Sequence, residues 1–267
     1  MKVNQYVHGQ PCWVELASQD ALAGKQFYSD LFGWKVQDIP IPDGVYSLLA
    51  LEVEGERYDV GAAYQMPADM SDQGVPTTWT VYFAVDNVDA TVASVISSGG
   101  NLVLGPHDVG TAGRMALLSD PEGAQFAIWQ AGDQIGATRK DENSSLCWVE
   151  LASRNGQDAK TFYASALGWE SRRDAMPDFE YTQWSVEDVP FGGMMEMTEE
   201  WGSMPAHWML YFAVEDCDEA ADKATKLGAK VCVPPTNIPD VGRFSVISDP
   251  QGGFFSVIAL NAESDTN

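Results

Sequence analysis

The chain of 267 residues predicts an α+β protein of two tandem domains, each made of two βαβββ units. Three observations carry that class. The length suits about two domains at roughly 150 residues apiece. A duplication runs through the chain, and within each copy strand periodicity alternates with helical periodicity.

The duplication is legible letter by letter, and it sets the frame for everything else. Cys12-Trp13-Val14-Glu15-Leu16-Ala17-Ser18 returns as Cys147-Trp148-Val149-Glu150-Leu151-Ala152-Ser153, an offset of 135. Phe27-Tyr28 and Gly33-Trp34 recur as Phe162-Tyr163 and Gly168-Trp169 at the same offset. Trp79 to Val85 matches Trp208 to Val214 at an offset of 129, as do Gly113-Arg114 and the Ser119-Asp120-Pro121-x-Gly123 hairpin with Gly242-Arg243 and Ser248 to Gly252. The second copy is therefore shorter in its loops between Tyr46 and Trp79. The domains are expected at 1–133 and 146–262, with 134–145 as an exposed linker of few contacts and 263–267 as a disordered tail.

Within the first copy, residues 12–17 read as a strand. Ser18 is placed to cap a helix from about 19 to 32, with Ala23, Phe27 and Leu31 on one face. Gly33 stands where a left-handed residue ends a helix. Strands follow at 34–39, 46–52 and 58–64. The unit then repeats: strand 78–85, helix 88–98 ending at Gly99-Gly100, and strands near 101–104, 113–118 and 124–130. The second copy follows suit, its later helix at about 217–227 ending at Gly228. Helices on one side of mainly antiparallel, curled sheets define the α+β class.

Composition excludes several functions. Fifteen Lys and Arg against 39 Asp and Glu leave a net charge of −24, which cannot neutralise a phosphate backbone, so no nucleic-acid partner is expected. No run approaches the roughly 18 apolar residues of a membrane span, and no apolar signal core opens the chain, so a cytoplasmic protein without membrane partners is expected. The cysteines Cys12, Cys147, Cys217 and Cys232 form no zinc or redox motif and read as buried thiols. No phosphate loop and no nucleophile elbow is present.

Two βαβββ units per domain, a helix ending Phe-Tyr-x-x-x-x-Gly-Trp and a late Asp-Pro-x-Gly hairpin resemble the vicinal oxygen chelate superfamily, which includes glyoxalase I, bleomycin-resistance proteins and extradiol dioxygenases. The resemblance covers both copies. It implies that each domain curls its sheet into a cup with helices outside, and that catalytic members hold a divalent metal there through His and Glu. Carried over position by position, those ligands fall on Trp13 and Trp148, on Thr80 and Met209, and on Ala127 and Ser256, none a good ligand for such an ion. The remaining position lies within Gly61 to Tyr64 and Gly192 to Glu196, where Glu196 is one candidate. The chain has only three His: His8, His107 and His207. Neither a metal site nor a cofactor is therefore expected.

Strand alternation then nominates the residues lining the cups: Trp13, Glu15, Thr80 and Tyr82 in the first copy, and Trp148, Glu150, His207, Met209 and Tyr211 in the second. Arg114 and Arg243 recur beside them, on faces that one sequence does not define. A Glu between Val and Leu on a strand is costly if buried alone, so Glu15 and Glu150 either pair with the Arg of their copy or face a ligand. Trp13, Trp148, Tyr82 and Tyr211 serve equally as core residues. Three functions stay open. One is metal-free binding of a small molecule, with a cationic aromatic suited to Trp and carboxylate. Another is a lyase, isomerase or dioxygenase using an atypical metal site or acid–base groups alone. The third is a protein that presents surface to a partner. The sequence is also compatible with a homodimer.

Overall fold

The computed structural model describes residues 1–42, 44–175 and 180–261; the expected tail at 263–267 lies outside them. The first half runs β1 (Pro11–Ser18), α1 (Ala21–Phe32), β2 (Lys35–Ile41), β3 (Gly44–Val53), β4 (Glu56–Gln65), α2 (Ala68–Asp72), β5 (Thr78–Ala84), α3 (Val88–Ser97), β6 (Asn101–Val109), β7 (Gly113–Ser119) and β8 (Gln125–Ala131). The second half repeats it as β9 (Leu146–Ser153), α4 (Gly156–Leu167), β10 (Glu170–Ala175), β11 (Glu180–Val186), β12 (Val189–Glu196), a 3-10 turn (Glu199–Trp201), β13 (His207–Ala213), α5 (Cys217–Lys226), β14 (Lys230–Ile238), β15 (Gly242–Ser248) and β16 (Phe254–Leu260).

Each half forms one eight-stranded sheet, in the order β2-β3-β4-β1-β5-β8-β7-β6 and its equivalent β10-β11-β12-β9-β13-β16-β15-β14. The two βαβββ units of a half join through the antiparallel pair β1 and β5, or β9 and β13. This α+β architecture of two curled sheets is the class read from the sequence.

Local details follow the chemistry of the helix ends, with one correction. Asp20, not Ser18, caps α1: its side chain accepts from Ala23 N. Ser18 finishes β1 fully buried, its Oγ 2.7 Å from Gln251 Oε1. The strand runs one residue further than the alternation pattern suggests, which moves the cap on. Gly33 and Gly168 close α1 and α4 in the left-handed region at φ 76° and 70°, where a Cβ is strained.

The helices lie on the face of each sheet turned toward the other half. One apolar cluster spans both halves. Phe83 meets Trp169 at 4.8 Å between ring centroids, and Phe212 meets Trp34 at 5.5 Å. Each hairpin of one half docks at the helix of the other. Tyr28 Oη donates to Asp249 at 2.9 Å and receives Trp79 Nε1 at 2.9 Å. Tyr163 Oη likewise donates to Asp120 at 3.1 Å and receives Trp208 Nε1 at 3.2 Å.

Residues 134–145 depart from the expected loose linker. Ala137, Ser144 and Ser145 are buried. The segment's backbone is spent on the sheets: Ala137 N donates to Cys12 O at 2.7 Å, Thr138 N to Asp59 O at 2.8 Å, and Ser144 N to Ala213 O at 2.8 Å. These backbone donors meet carbonyls of β1, β4 and β13.

Candidate functional site

On the face of each sheet away from the helices, the central strands β1 and β9 carry the candidate site. β1 alternates Val14 and Leu16 into the shared core with Trp13 and Glu15 on the opposite face. A register shift between Pro11 and Trp13 also brings Cys12 into the small cluster of Trp13, Tyr82, Met115, Leu117, Ala127 and Trp129. Cys12 therefore does not lie opposite the Trp, as strict alternation would place it. It is buried, and burial pushes its thiol far up, which suits packing.

Glu15 is held by phenols. Tyr46 Oη donates to Glu15 Oε1 and Tyr82 Oη donates to Glu15 Oε2 at 2.5 Å. Trp13 Nε1 donates to Tyr46 Oη at 3.1 Å, completing a chain from indole to phenol to carboxylate. The second half repeats it: Tyr181 Oη donates to Glu150 Oε2 and Tyr211 Oη to Oε1, both at 2.9 Å, while Trp148 Nε1 donates to Tyr181 Oη at 2.8 Å. Burial raises both Glu carboxyls above the ordinary range, and the phenol hydrogen bonds pull them partly back. Burial and the neighbouring carboxylate push Tyr46, Tyr82, Tyr181 and Tyr211 well above the usual phenol range. In each pair the phenol is the donor and the Glu oxygen the acceptor.

Thr80 stands opposite Glu15 and Met209 opposite Glu150 in strand register. His207 heads β13 on the same face, its Nδ1 2.9 Å from Pro205 O and its ring 6.3 Å from that of Trp201; no hydrogen bond links it to Glu150.

The repeated arginines are not cup residues. β7 turns Met115 and Leu117 inward, so the intervening register sends Arg114 to the helix side, where it pairs with Asp89 of α3 at 3.0 Å and Asp108 at 2.8 Å. Arg243 pairs with Asp218 of α5 at 2.6 Å while Phe244 faces Tyr211. These arginines hold Asp89 and Asp218 below the usual carboxylate range. Among the described residues, neither Glu15 nor Glu150 forms an ion pair. The alternative of a Glu–Arg bridge is replaced by two phenols per carboxylate.

Tyr46 and Tyr181, the residues that join Trp to Glu, were not among those the alternation nominated. They recur at the same offset of 135 as the first-strand motif, and that repetition is the signal that could have found them.

The fold and this site define a two-domain protein with cup-shaped sheets of the glyoxalase type. Residues 11–128 match the Glyoxalase/Bleomycin resistance protein/Dioxygenase superfamily, and residues 148–258 match the Glyoxalase-like domain. The chain belongs to this superfamily. It is 41% identical over 260 residues to "Putative glyoxylase CFP32" of Mycobacterium tuberculosis (strain CDC 1551 / Oshkosh), covering 96% of this chain and 97% of that one. It is 35% identical over 265 residues to the anthracycline biosynthesis protein DnrV of Streptomyces peucetius, covering 97% and 96%. Among solved structures, it resembles the 2,3-dioxygenase LapB from Pseudomonas sp. KL28 with a TM-score of 0.66 at 15% identity, over 98% of this chain and 96% of that one. The Mn(II)-bound glyoxalase from Novosphingobium aromaticivorans matches with a TM-score of 0.64 at 16% identity, over 94% and 82%.

The metal that this family implies does not fit the donor set. Among the described residues no three His, Cys, Asp or Glu side chains converge. Among those residues each cup face presents a carboxylate whose oxygens already accept phenol hydrogen bonds, beside an indole that has no lone pair to give. Glu196, the remaining candidate ligand, is exposed, with its carboxylate close to Gly156 at the start of α4. No described helix is long and apolar enough to cross a membrane.

Proposed function

We propose that the cups bind a small organic molecule without a metal ion, and that the class both cups favour is an aromatic cation. One observation carries this reading: a carboxylate in each half sits among Trp and Tyr rings with phenols, not cations, as its partners. Each oxygen keeps a lone pair after accepting one phenol proton, so an ammonium or protonated ring nitrogen can be received without breaking the chain. Trp13 and Trp148 add a face for stacking, worth roughly 0.5–2 kcal/mol as a cation–π contact. The relative named for anthracycline biosynthesis supports a polycyclic aromatic, while the relative named a glyoxylase supports a small carbonyl compound.

The test is a titration of chelator-treated protein with 9-aminoacridine, followed by tryptophan fluorescence and calorimetry. Saturable binding is expected, weakening on acidification before ordinary carboxylates titrate, because protonation of the raised Glu carboxyls removes the charge. Replacing both Glu15 and Glu150 by Gln should weaken binding at least about tenfold, the worth of one charge-assisted hydrogen bond. A flat titration at every pH removes the reading.

A second reading, metal-free proton transfer, is favoured by the position of one carboxylate on each cup face with no cation beside it, lifted by burial above the ordinary carboxylate range in the direction that suits a general base. It requires that chelator-treated protein exchange the α-protons of a small ketone into D2O, and that Glu15→Gln and Glu150→Gln abolish the exchange. Exchange no faster than in buffer eliminates it.

A further inference from the structure

We infer that the first cup is the principal ligand site and that its ligand carries an apolar arm, which lies in the cavity between α2 and the β2–β3 edge. The inference rests on the reading of the cups as ligand sites and adds which cup, what size and what shape.

The cavity measures about 590 Å3 and is lined by Ile41, Val45, Tyr64, Met66, Ala68 and Asp72, among others. That volume is within the range of small-molecule pockets. Ile41 and Val45 expose 42% and 41% of their surface on its wall, so apolar surface is left uncovered there. Asp72 offers a carboxylate to a polar or cationic end.

Tyr64 joins the cavity to the cup. It stands opposite Tyr46 in the β3–β4 register, and burial together with the charge of Glu15 pushes its hydroxyl up to about 12. One residue thus stands beside Tyr46 in register and also lines the cavity. An aromatic cation at Glu15 that carries a flexible aliphatic substituent has a route for it past Tyr64 and along Ile41 and Val45.

The described residues of the second cup differ along this route. Met195 takes the position of Tyr64, opposite Tyr181. The 3-10 turn Glu199–Trp201 stands where α2 stands in the first half. Gly193 replaces Ala62 as the register partner of the central Glu, and a methyl group at Gly193 would overlap the Tyr181 ring and hydroxyl. Tyr181 therefore lies on the floor of the second cup, in space that the Ala62 methyl denies to a ring in the first.

Two probes that share a head and differ in an arm test the inference. 9-Aminoacridine has the aromatic cation alone; 9-(pentylamino)acridine has the same cation and an uncharged pentyl arm. Calorimetry on the full chain should find one site where 9-(pentylamino)acridine binds about tenfold more tightly than 9-aminoacridine. Glu15→Gln should remove that site. Val45→Trp and Ala68→Trp, both at exposed positions that tolerate a larger side chain, should each erase the tenfold difference by filling the cavity. Equal affinities for the two probes, or loss of the tight site in Glu150→Gln instead of Glu15→Gln, overturn the inference while the cups remain ligand sites. Failure of both probes to bind at all overturns the reading of the cups and this inference together.

Discussion

Glu15 and Glu150 sit on the central strand of each half as acids that the fold neither exposes fully nor pairs with a base. Their phenol partners explain why the carboxylates are tolerated: two hydrogen bonds to a charged acceptor offset much of the desolvation. Tyr46 and Tyr181 are the hinge of this arrangement, since each accepts from Trp and donates to Glu. The second chain depends on a missing side chain. Gly193→Ala should push Tyr181 off Glu150 and cost about 1–3 kcal/mol by overpacking, read as a lower denaturation midpoint at unchanged m value. Any ligand bound in the second cup should be weakened and one in the first left alone; a variant as stable as the parent would show that the floor has room. At this scale the acids were legible because a Glu between Val14 and Leu16 needs an explanation. Their partners were not, because Tyr46 is 31 residues away in sequence and alternation within a strand does not say which strand arrives beside it. Arg114 shows the converse error: repetition marked it as important, but its face depends on the phase of β7 against the cup.

The elements that repeat most faithfully are those that hold the halves together. Tyr28, Trp79 and Asp249 form one junction, and Tyr163, Trp208 and Asp120 its twin. Gln251 of the second hairpin accepts from Asp20 N at 2.7 Å, and Glu122 of the first accepts from Arg154 N at 2.8 Å, so each hairpin also caps the entry to a helix of the other half. Tyr28→Phe removes the hydroxyl that donates to Asp249 Oδ2, leaving that carboxylate only its backbone donors Gln251 N and Gly253 N on Oδ1, and it leaves Trp79 Nε1 without its acceptor. It should cost about 1–3 kcal/mol, and Tyr163→Phe should cost a similar amount; equilibrium urea unfolding measures both. A loss below about 0.3 kcal/mol in either would mean that water replaces the phenol. From the sequence these residues served only as markers of duplication, since a buried contact between copies leaves no periodic trace in either copy.

The whole molecule combines a net charge of −24 with several carboxyls raised by burial: Glu15, Glu150, Asp120 and Asp249. A raised carboxyl binds its proton more tightly in the folded chain than in the unfolded one. Its contribution is therefore most favourable below the unfolded pKa and is lost as pH rises through the folded value. The carboxyls held low by Arg or Lys, Asp38, Asp89 and Asp218, act oppositely, but only below about pH 4. Between pH 8 and 5 the first set governs, and relief of like-charge repulsion acts in the same sense. The thermal midpoint should rise on acidification across that window and rise with added salt at pH 8; a fall in both would contradict this assignment. Because the helices and aromatic rings of the two halves share one core, unfolding should be a single cooperative transition in calorimetry, and two separate peaks would refute the shared core.

The sequence by itself determined the duplication, the α+β class, the absence of imidazole at the expected ligand positions and the inward acid on each central strand, because these are properties of local pattern and of residue identity. Only the tertiary structure decided that phenols hold those acids, that the arginines turn to the helices, that residues 134–145 are packed against the strands, and that the helix-bearing faces meet. Period-two alternation states which side chains share a face; which face closes on a partner, and which distant side chain reaches across, is set when the sheets curl and the two halves dock.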